Sequence, residues 1–198
     1  MRNAMQNKPS YLQSFLDMVA EDHFLILDTE TTSLRRGEIC QIAVMESNGQ
    51  VHLDTLVHTL DSIPPDVVVL HGITDEMVAD SPTFDLLVKP LKELLQGRDL
   101  VVYNAKYDRM MMHQSAERCG IEKTVWKGVA RWWCAMEAYA EFFGEWDSYH
   151  GNYRWHSLSK AAGHFGIPTN GAHNALADCR LALKLCRQML AAGRENDV

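Results

Sequence analysis

The feature that most constrains this chain is an apolar strand that runs into acid. Phe24-Leu25-Ile26-Leu27 is a short run of large apolar side chains, suited to a buried strand, and it stops at Asp28-Thr29-Glu30. Side chains alternate across a strand, so Asp28 and Glu30 project to the same face. Two carboxylates side by side repel each other, and the arrangement is costly unless they are solvated, protonated or bridged by cations. Hard divalent ions such as Mg2+ suit oxygen donors of this kind. Taken alone, Asp-x-Glu is equally compatible with a solvated strand end.

Two further segments place acid at the ends of elements. Asp108 follows the apolar run Leu100-Val101-Val102-Tyr103 and falls in the first turn of a helix that Asn104 is placed to cap. An acid there is also favoured by the helix dipole. The segment His173-Asn174-Ala175-Leu176-Ala177-Asp178 offers Asn174 as an N-cap, which sets His173 just before a helix and Asp178 in its first turns. Ala175 and Ala177 are small enough to let another element approach closely. An imidazole beside carboxylates can act as a general base, because histidine titrates near working pH.

The remaining pattern is that of an α/β layer fold with a mixed sheet. Ser10 can cap a helix through Ala20, with Leu12, Phe15, Leu16 and Val19 at helical spacing. Ile39 to Met45 and Val51 to Val57 read as a hairpin around Ser47-Asn48-Gly49-Gln50. A loop carries Pro64-Pro65 and His71-Gly72. Thr83 to Gln96 reads as a helix stopped by Gly97, with Pro90 expected to kink or split it. Trp132 to Phe143 reads as a helix, Gly144 to Arg154 as a loop, and Ser157 to Phe165 and Ala175 to Leu190 as closing helices.

Composition narrows the class. With 198 residues, 46% of them hydrophobic and 23% charged, the chain has the make-up of one globular domain. No apolar run approaches the ~18 residues of a membrane-spanning helix, and the N-terminal segment lacks the apolar core of a signal peptide. Five cysteines without CxxC spacing argue against a disulfide framework or zinc site and fit a reducing cytoplasm. The net charge is −7, but residues 150–198 carry six Lys/Arg against three Asp/Glu, so that quarter is basic. An acidic protein with a basic segment can still bind nucleic acid through that face.

In order along the chain, Asp28-Thr29-Glu30-Thr31-Thr32-Ser33, Asn104-Ala105-Lys106-Tyr107-Asp108 and His173-Asn174-Ala175-Leu176-Ala177-Asp178 resemble the three motifs of the DEDD superfamily of 3′–5′ exonucleases, in its histidine-containing (DEDDh) branch. The resemblance is closer to the proofreading epsilon subunits of bacterial DNA polymerase III and their stand-alone relatives. His71-Gly72-Ile73-Thr74-Asp75-Glu76 and Ser81-Pro82-Thr83-Phe84 are similar to the loop and helix start of epsilon-like domains, and the likeness spans Phe24 to Leu190. Two positions depart from the usual pattern: Tyr103 stands where the family often has His, and Tyr107 where it often has Phe.

The resemblance implies an RNase H-like fold, a five-stranded mixed sheet flanked by helices. It implies two divalent ions, Mg2+ or Mn2+, with Asp28 shared between them, Glu30 and Asp178 on one and Asp108 on the other. His173 would take the proton from the attacking water. The terminal nucleotide would be held by Thr31, Leu34, His71, Asn104 and Tyr107. The implied activity is removal of nucleoside 5′-monophosphates from single-stranded DNA 3′ ends. An exoribonuclease of the same fold and a non-catalytic nucleic-acid-binding or polymerase-accessory module are the alternatives. The organisation expected is an N-terminal helical extension over residues 1–22, an exonuclease domain over 23–191 and a tail over 192–198, too short to dock on a polymerase. A homodimer would let a second subunit add basic residues to the groove.

Overall fold

The computed structural model describes residues 9–121, 125–169 and 173–196. Five strands form one mixed sheet: β1 (Leu25–Thr31), β2 (Ile39–Glu46), β3 (Val51–Leu56), β4 (Asp99–Val102) and β5 (Arg131–Cys134). Their order is β3-β2-β1-β4-β5, so β1 is central. It pairs antiparallel with β2 and parallel with β4, and β4 pairs parallel with β5. The Asn48-Gly49 turn joins β2 to β3, with Gly49 at φ +95°.

Helices cover both faces. On one side Ile26, Ala43, Met45, Val101 and Tyr103 pack beneath α1 (Tyr11–Ala20), α6 (Ala135–Phe143), α7 (Leu158–His164) and α8 (Ala175–Asn196). On the other, Leu25, Leu27, Ile42, Val44, Leu100 and Val102 pack beneath α4 (Phe84–Leu95) and α5 (Ala105–Arg118). The alternation of β1 therefore runs Leu25 and Leu27 toward α5, Ile26 toward α8. Among the described residues no helix is long and apolar enough to cross a membrane.

Several expectations are corrected. The stretch around Pro64-Pro65 and His71 is not plain loop: it forms two short helices, α2 (Pro65–His71) and α3 (Asp75–Val78), with Pro65 in the first turn, where its missing N–H costs nothing. Pro90 does not split α4, which runs unbroken past it. The carbonyl it releases is that of Leu86, and both residues lie on the exposed face, where water can serve as donor. Trp132 and Trp133 belong to β5, and the helix begins only at Ala135. The segment after Gly144 contains a small ribbon of β6 (Trp146–Asp147) and β7 (Asn152–Tyr153).

The helix ahead of β1 is part of the core. Ser10 caps α1 through Oγ, which accepts from the Gln13 N–H at 3.1 Å. Phe15 is fully buried, with its ring edge-on to Trp133 at 6.2 Å. The Tyr11 hydroxyl meets the backbone of Cys134 at the start of α6. Phe15→Ala is expected to cost ~3–5 kcal/mol. Urea unfolding followed by circular dichroism and by tryptophan fluorescence should show one shifted transition by both probes. An unchanged midpoint would mean that α1 is a detachable appendage.

Candidate active site

The parity of β1 sorts its polar residues between two helices. Asp28 and Glu30 share the side of Ile26 and face α8, while Thr29 shares the side of Leu27 and faces α5. On α8, Asp178 completes a group of three: Asp28, Glu30 and Asp178 each bring a carboxylate oxygen within 4.8 Å of the others. On α5, Asp108 is buried in the first turn, and its Oδ1 accepts from the Thr29 hydroxyl at 2.8 Å. Asp108 stands just outside the triplet but near enough for its charge to act on Asp28 and Glu30.

The start of α8 is tied to the sheet by a residue that carries none of the expected chemistry. Gln41 on β2 is the register partner of Glu30. Its Oε1 accepts from Asn174 Nδ2 and from the Ala175 N–H, both at 3.2 Å, and its Nε2 donates to Asp54 at 3.1 Å. Asn174 caps the helix as expected, accepting from the Ala177 N–H at 3.2 Å. His173 takes a left-handed backbone conformation, φ +70°, which is uncommon without glycine. That conformation turns its N–H toward Asp178 Oδ2 at 3.2 Å and leaves the residue exposed.

Beside the carboxylates lies a groove of about 550 Å3, lined by residues 29–33 of the first motif, by Leu34 after it, by α2 and by Tyr107. It brings together four of the five expected substrate contacts. Tyr107 Oη is 2.5 Å from Thr31 Oγ1 and donates toward the Ser33 carbonyl at 3.3 Å. Gly72 adopts φ +74° and closes α2, so that the Ile73 N–H donates to His71 Nδ1 at 3.0 Å. That bond leaves the hydrogen on Nε2, which meets Cys40 Sγ at 3.7 Å. A bulge in the β1–β2 pairing after Glu30 lies at this point. Leu34 is 78% exposed on the groove rim, so it is not a core leucine. Asn104, the fifth expected contact, is half-buried at the end of β4, outside this groove, and its side chain does not cap α5.

Burial raises every carboxyl here, and crowding of like charge adds to it at Asp28 and Glu30. Burial dominates at Asp28, which lies well above the usual range, with Asp108, Asp178 and Glu30 adding repulsion. Glu30 is pushed up to about 7, by burial first and then by Asp178 and Asp108. Burial also raises Asp108 and Asp178, against the Thr29 hydrogen bond in one case and the His173 N–H in the other. Three converging hard oxygen donors that resist joint ionisation fit a divalent cation, which would replace the missing protons. Burial lowers His71; the Thr31 carbonyl opposes that and the nearby His173 reinforces it.

A family model described as exonuclease, RNase_T, matches residues 25–186. The chain belongs to this exonuclease family. An exonuclease of Escherichia phage 186, designated CP81, is 39% identical over 177 residues, covering 87% of this chain and 91% of its own. The DNA polymerase III subunit epsilon of Treponema pallidum is 27% identical over 173 residues, covering 85% and 76%. Among solved structures, the nuclease domain of 3′hExo, a DEDDh family member bound to rAMP, superposes with a TM-score of 0.64 at 15% identity, covering 87% of this chain and 93% of that one. The chain is thus an enzyme of a metal-dependent exonuclease family, with the RNase H-like fold that it shares with a DEDDh nuclease domain.

Sequence reasoning missed Thr29 and Gln41, which hold two of the four acids in place. The signal for Gln41 was legible: it is the polar residue inside Ile39-Cys40-Gln41-Ile42-Ala43-Val44, a stretch of β2 otherwise apolar and buried throughout. A buried amide in such a run has a partner to serve.

The electrostatics give a test. Glu30 keeps its proton in the fold up to about pH 7 but loses it near 4.5 in the unfolded chain. The resulting penalty on folding is absent below about pH 4, grows as pH rises and reaches about 3 kcal/mol above 7. In chelator, Glu30→Gln should therefore match the parent near pH 4 and exceed it in thermal midpoint near pH 8. Adding Mg2+ or Mn2+ should raise the parent's midpoint more than the variant's. Equal midpoints at pH 8 in chelator would show that the carboxylates are relieved in some other way.

Proposed function

We propose that the exonuclease releases nucleoside 5′-monophosphates one at a time from the 3′ end of single-stranded DNA. Asp28, Glu30, Asp108 and Asp178 would hold two divalent ions, Mg2+ or Mn2+. The observation that carries this reading is the convergence of three carboxylates within 4.8 Å beside a groove large enough for a nucleotide. When bound, such ions act as Lewis acids that make water a better nucleophile and offset charge on the phosphate and the departing oxygen.

The chain's own residues divide the remaining work. Water forms the new bond to phosphorus, and the bond from phosphorus to the 3′ oxygen of the neighbouring nucleotide breaks. His173, exposed beside Asp178, takes the proton that the water loses. Thr31 and Tyr107, joined through their hydroxyls, form the floor of the groove. Leu34 on the rim offers an apolar edge against the terminal base, and His71 lines the same groove. Asn104, outside this groove, would contact the strand beyond the terminal nucleotide. The likeness to a polymerase III epsilon subunit supports DNA as substrate. The same fold holds rAMP in a solved neighbour, so an exoribonuclease is the second reading.

Matched DNA and RNA oligonucleotides, labelled at the 5′ end and incubated with Mg2+, Mn2+ or chelator, test the proposal. A metal-dependent ladder shortening from the 3′ end is expected, faster on DNA; faster RNA shortening would select the second reading. Asp28→Ala and Asp178→Ala should each abolish the ladder while the circular dichroism spectrum is kept. His173→Ala should lower kcat by roughly 10²–10⁴ with a smaller effect on substrate affinity. Its pH–rate profile should lose the acid limb, and an unchanged limb would assign the base elsewhere.

A further inference from the structure

The tryptophans of residues 126–155 play no part in the chemistry above, and the structure divides them into two kinds. Trp126 is buried against Phe84, and Trp132 and Trp133 sit on β5 with their indole N–H groups donating to the Trp126 carbonyl and to Asp99. Trp146 and Trp155 are different: they are 58% and 55% exposed. Tyr149, between them, is 89% exposed. All three belong to the β6–β7 hairpin or lie just beyond it. Large rings left in water within ten residues of one another call for a partner.

The hairpin is built to hold those rings out. A ribbon with two residues per strand is not stable by itself. Here Asp147 Oδ1 accepts from the N–H groups of Tyr149 and His150 at 3.0 and 3.2 Å, and its Oδ2 lies 2.9 Å from His150 Nδ1. Trp146 meets Tyr153 edge to face, centroids 5.2 Å apart. The Arg154 N–H donates to the Glu145 carbonyl at 2.8 Å, and its guanidinium pairs with the Glu145 carboxylate at 2.9 Å.

The hairpin is also fastened to the catalytic edge of the sheet. β1 and β4 run parallel with Leu25 opposite Leu100 and Ile26 opposite Val101. Continued two residues, that register sets Tyr103 level with Asp28, one strand away. The Tyr103 hydroxyl donates to the His156 carbonyl at 2.8 Å, and His156 is buried against Tyr139 and Phe143. The chain leaving the hairpin is thus pinned to the residue that follows β4, one strand from Asp28.

We propose that Trp146, Tyr149 and Trp155 form a stacking platform for bases of the single strand that lie 5′ of the terminal nucleotide. The inference rests on the function proposed above and adds a second grip to it. Flat rings hold bases without reading their identity, as an enzyme that trims any sequence requires. The local charge permits it: Asp147 and Glu145 are engaged by His150 and Arg154, and exposed Lys160 follows in the first turn of α7. Trp155 also lines a depression with Tyr11, Tyr153, Glu137 and Glu141, so the platform meets acidic charge on its α1 side.

Oligothymidylates of about 3 and about 12 residues separate the two grips, the shorter one being unable to reach far beyond the groove. With the parent, the longer strand should bind more tightly in chelator, by fluorescence anisotropy, and should show the lower KM with Mg2+ or Mn2+. In Trp146→Ala/Tyr149→Ala the longer strand should lose about 10-fold or more in both measures. The loss should fall in KM and not in kcat, and the length preference should collapse. Trp155→Phe should retain more of that preference than Trp155→Ala. If the parent cleaves both strands and prefers the longer, yet the double variant keeps the preference, the platform is wrong and the activity stands. If the parent, with either metal, neither binds nor shortens any strand, the underlying reading fails, and the platform with it.

Discussion

Carboxylates that repel one another at the end of β1 would drift apart unless the rest of the chain held them. Most polar contacts around the site serve that purpose. Thr29 anchors Asp108 from the opposite face of the same strand, and the His173 N–H steadies Asp178. Placing β1 at the centre of the sheet, between β2 and β4, denies the acids any room to retreat. The stability lost in this way is recovered in two apolar layers, where Phe15, Trp126 and Tyr139 are among the largest fully buried side chains.

A stiff part and an adaptable part lie next to each other. The acids stand on a strand and two helices, elements that move little. The groove wall comes instead from residues 31–34 and from α2, a short helix with no buried residue. Glu38 links the two parts. Buried itself, it accepts from the N–H groups of Leu60 and Asp61 at 3.0 Å and pairs with Arg118 of α5 at 3.3 Å. The loop leading to His71 is thereby referred to the same helix that carries Asp108.

The acidic strand, the hairpin around Asn48-Gly49 and the capped start of α8 were legible in the sequence, because each depends on local rules of alternation, turn chemistry and capping. What escaped was set by distant partners. Trp132-Trp133 runs directly into a helical pattern, and only pairing with β4 makes it a strand. The β6–β7 ribbon has too few residues to show a period. Asn104 looks like a cap but makes no capping bond, so its role as one was a matter of position alone. For the site, residue types and order were readable; of the braces, Gln41 stood out as an amide in an apolar run, whereas Thr29 did not, and neither declared its partner.

The Gln41 bracket makes the site sensitive to something remote from nucleic acid. A strand slipped by one residue presents its other face, so Cys40 or Ile42 would replace Gln41 opposite Glu30. Neither has an acceptor for Asn174 and the Ala175 N–H. The leading turn of α8 would then lose its anchor, and with it the placement of both His173 and Asp178. A molecule with misaligned central strands would lack the geometry for turnover. Turnover in this enzyme is therefore also a readout of strand alignment, and the specific activity of a refolded sample measures the fraction of chains that paired correctly.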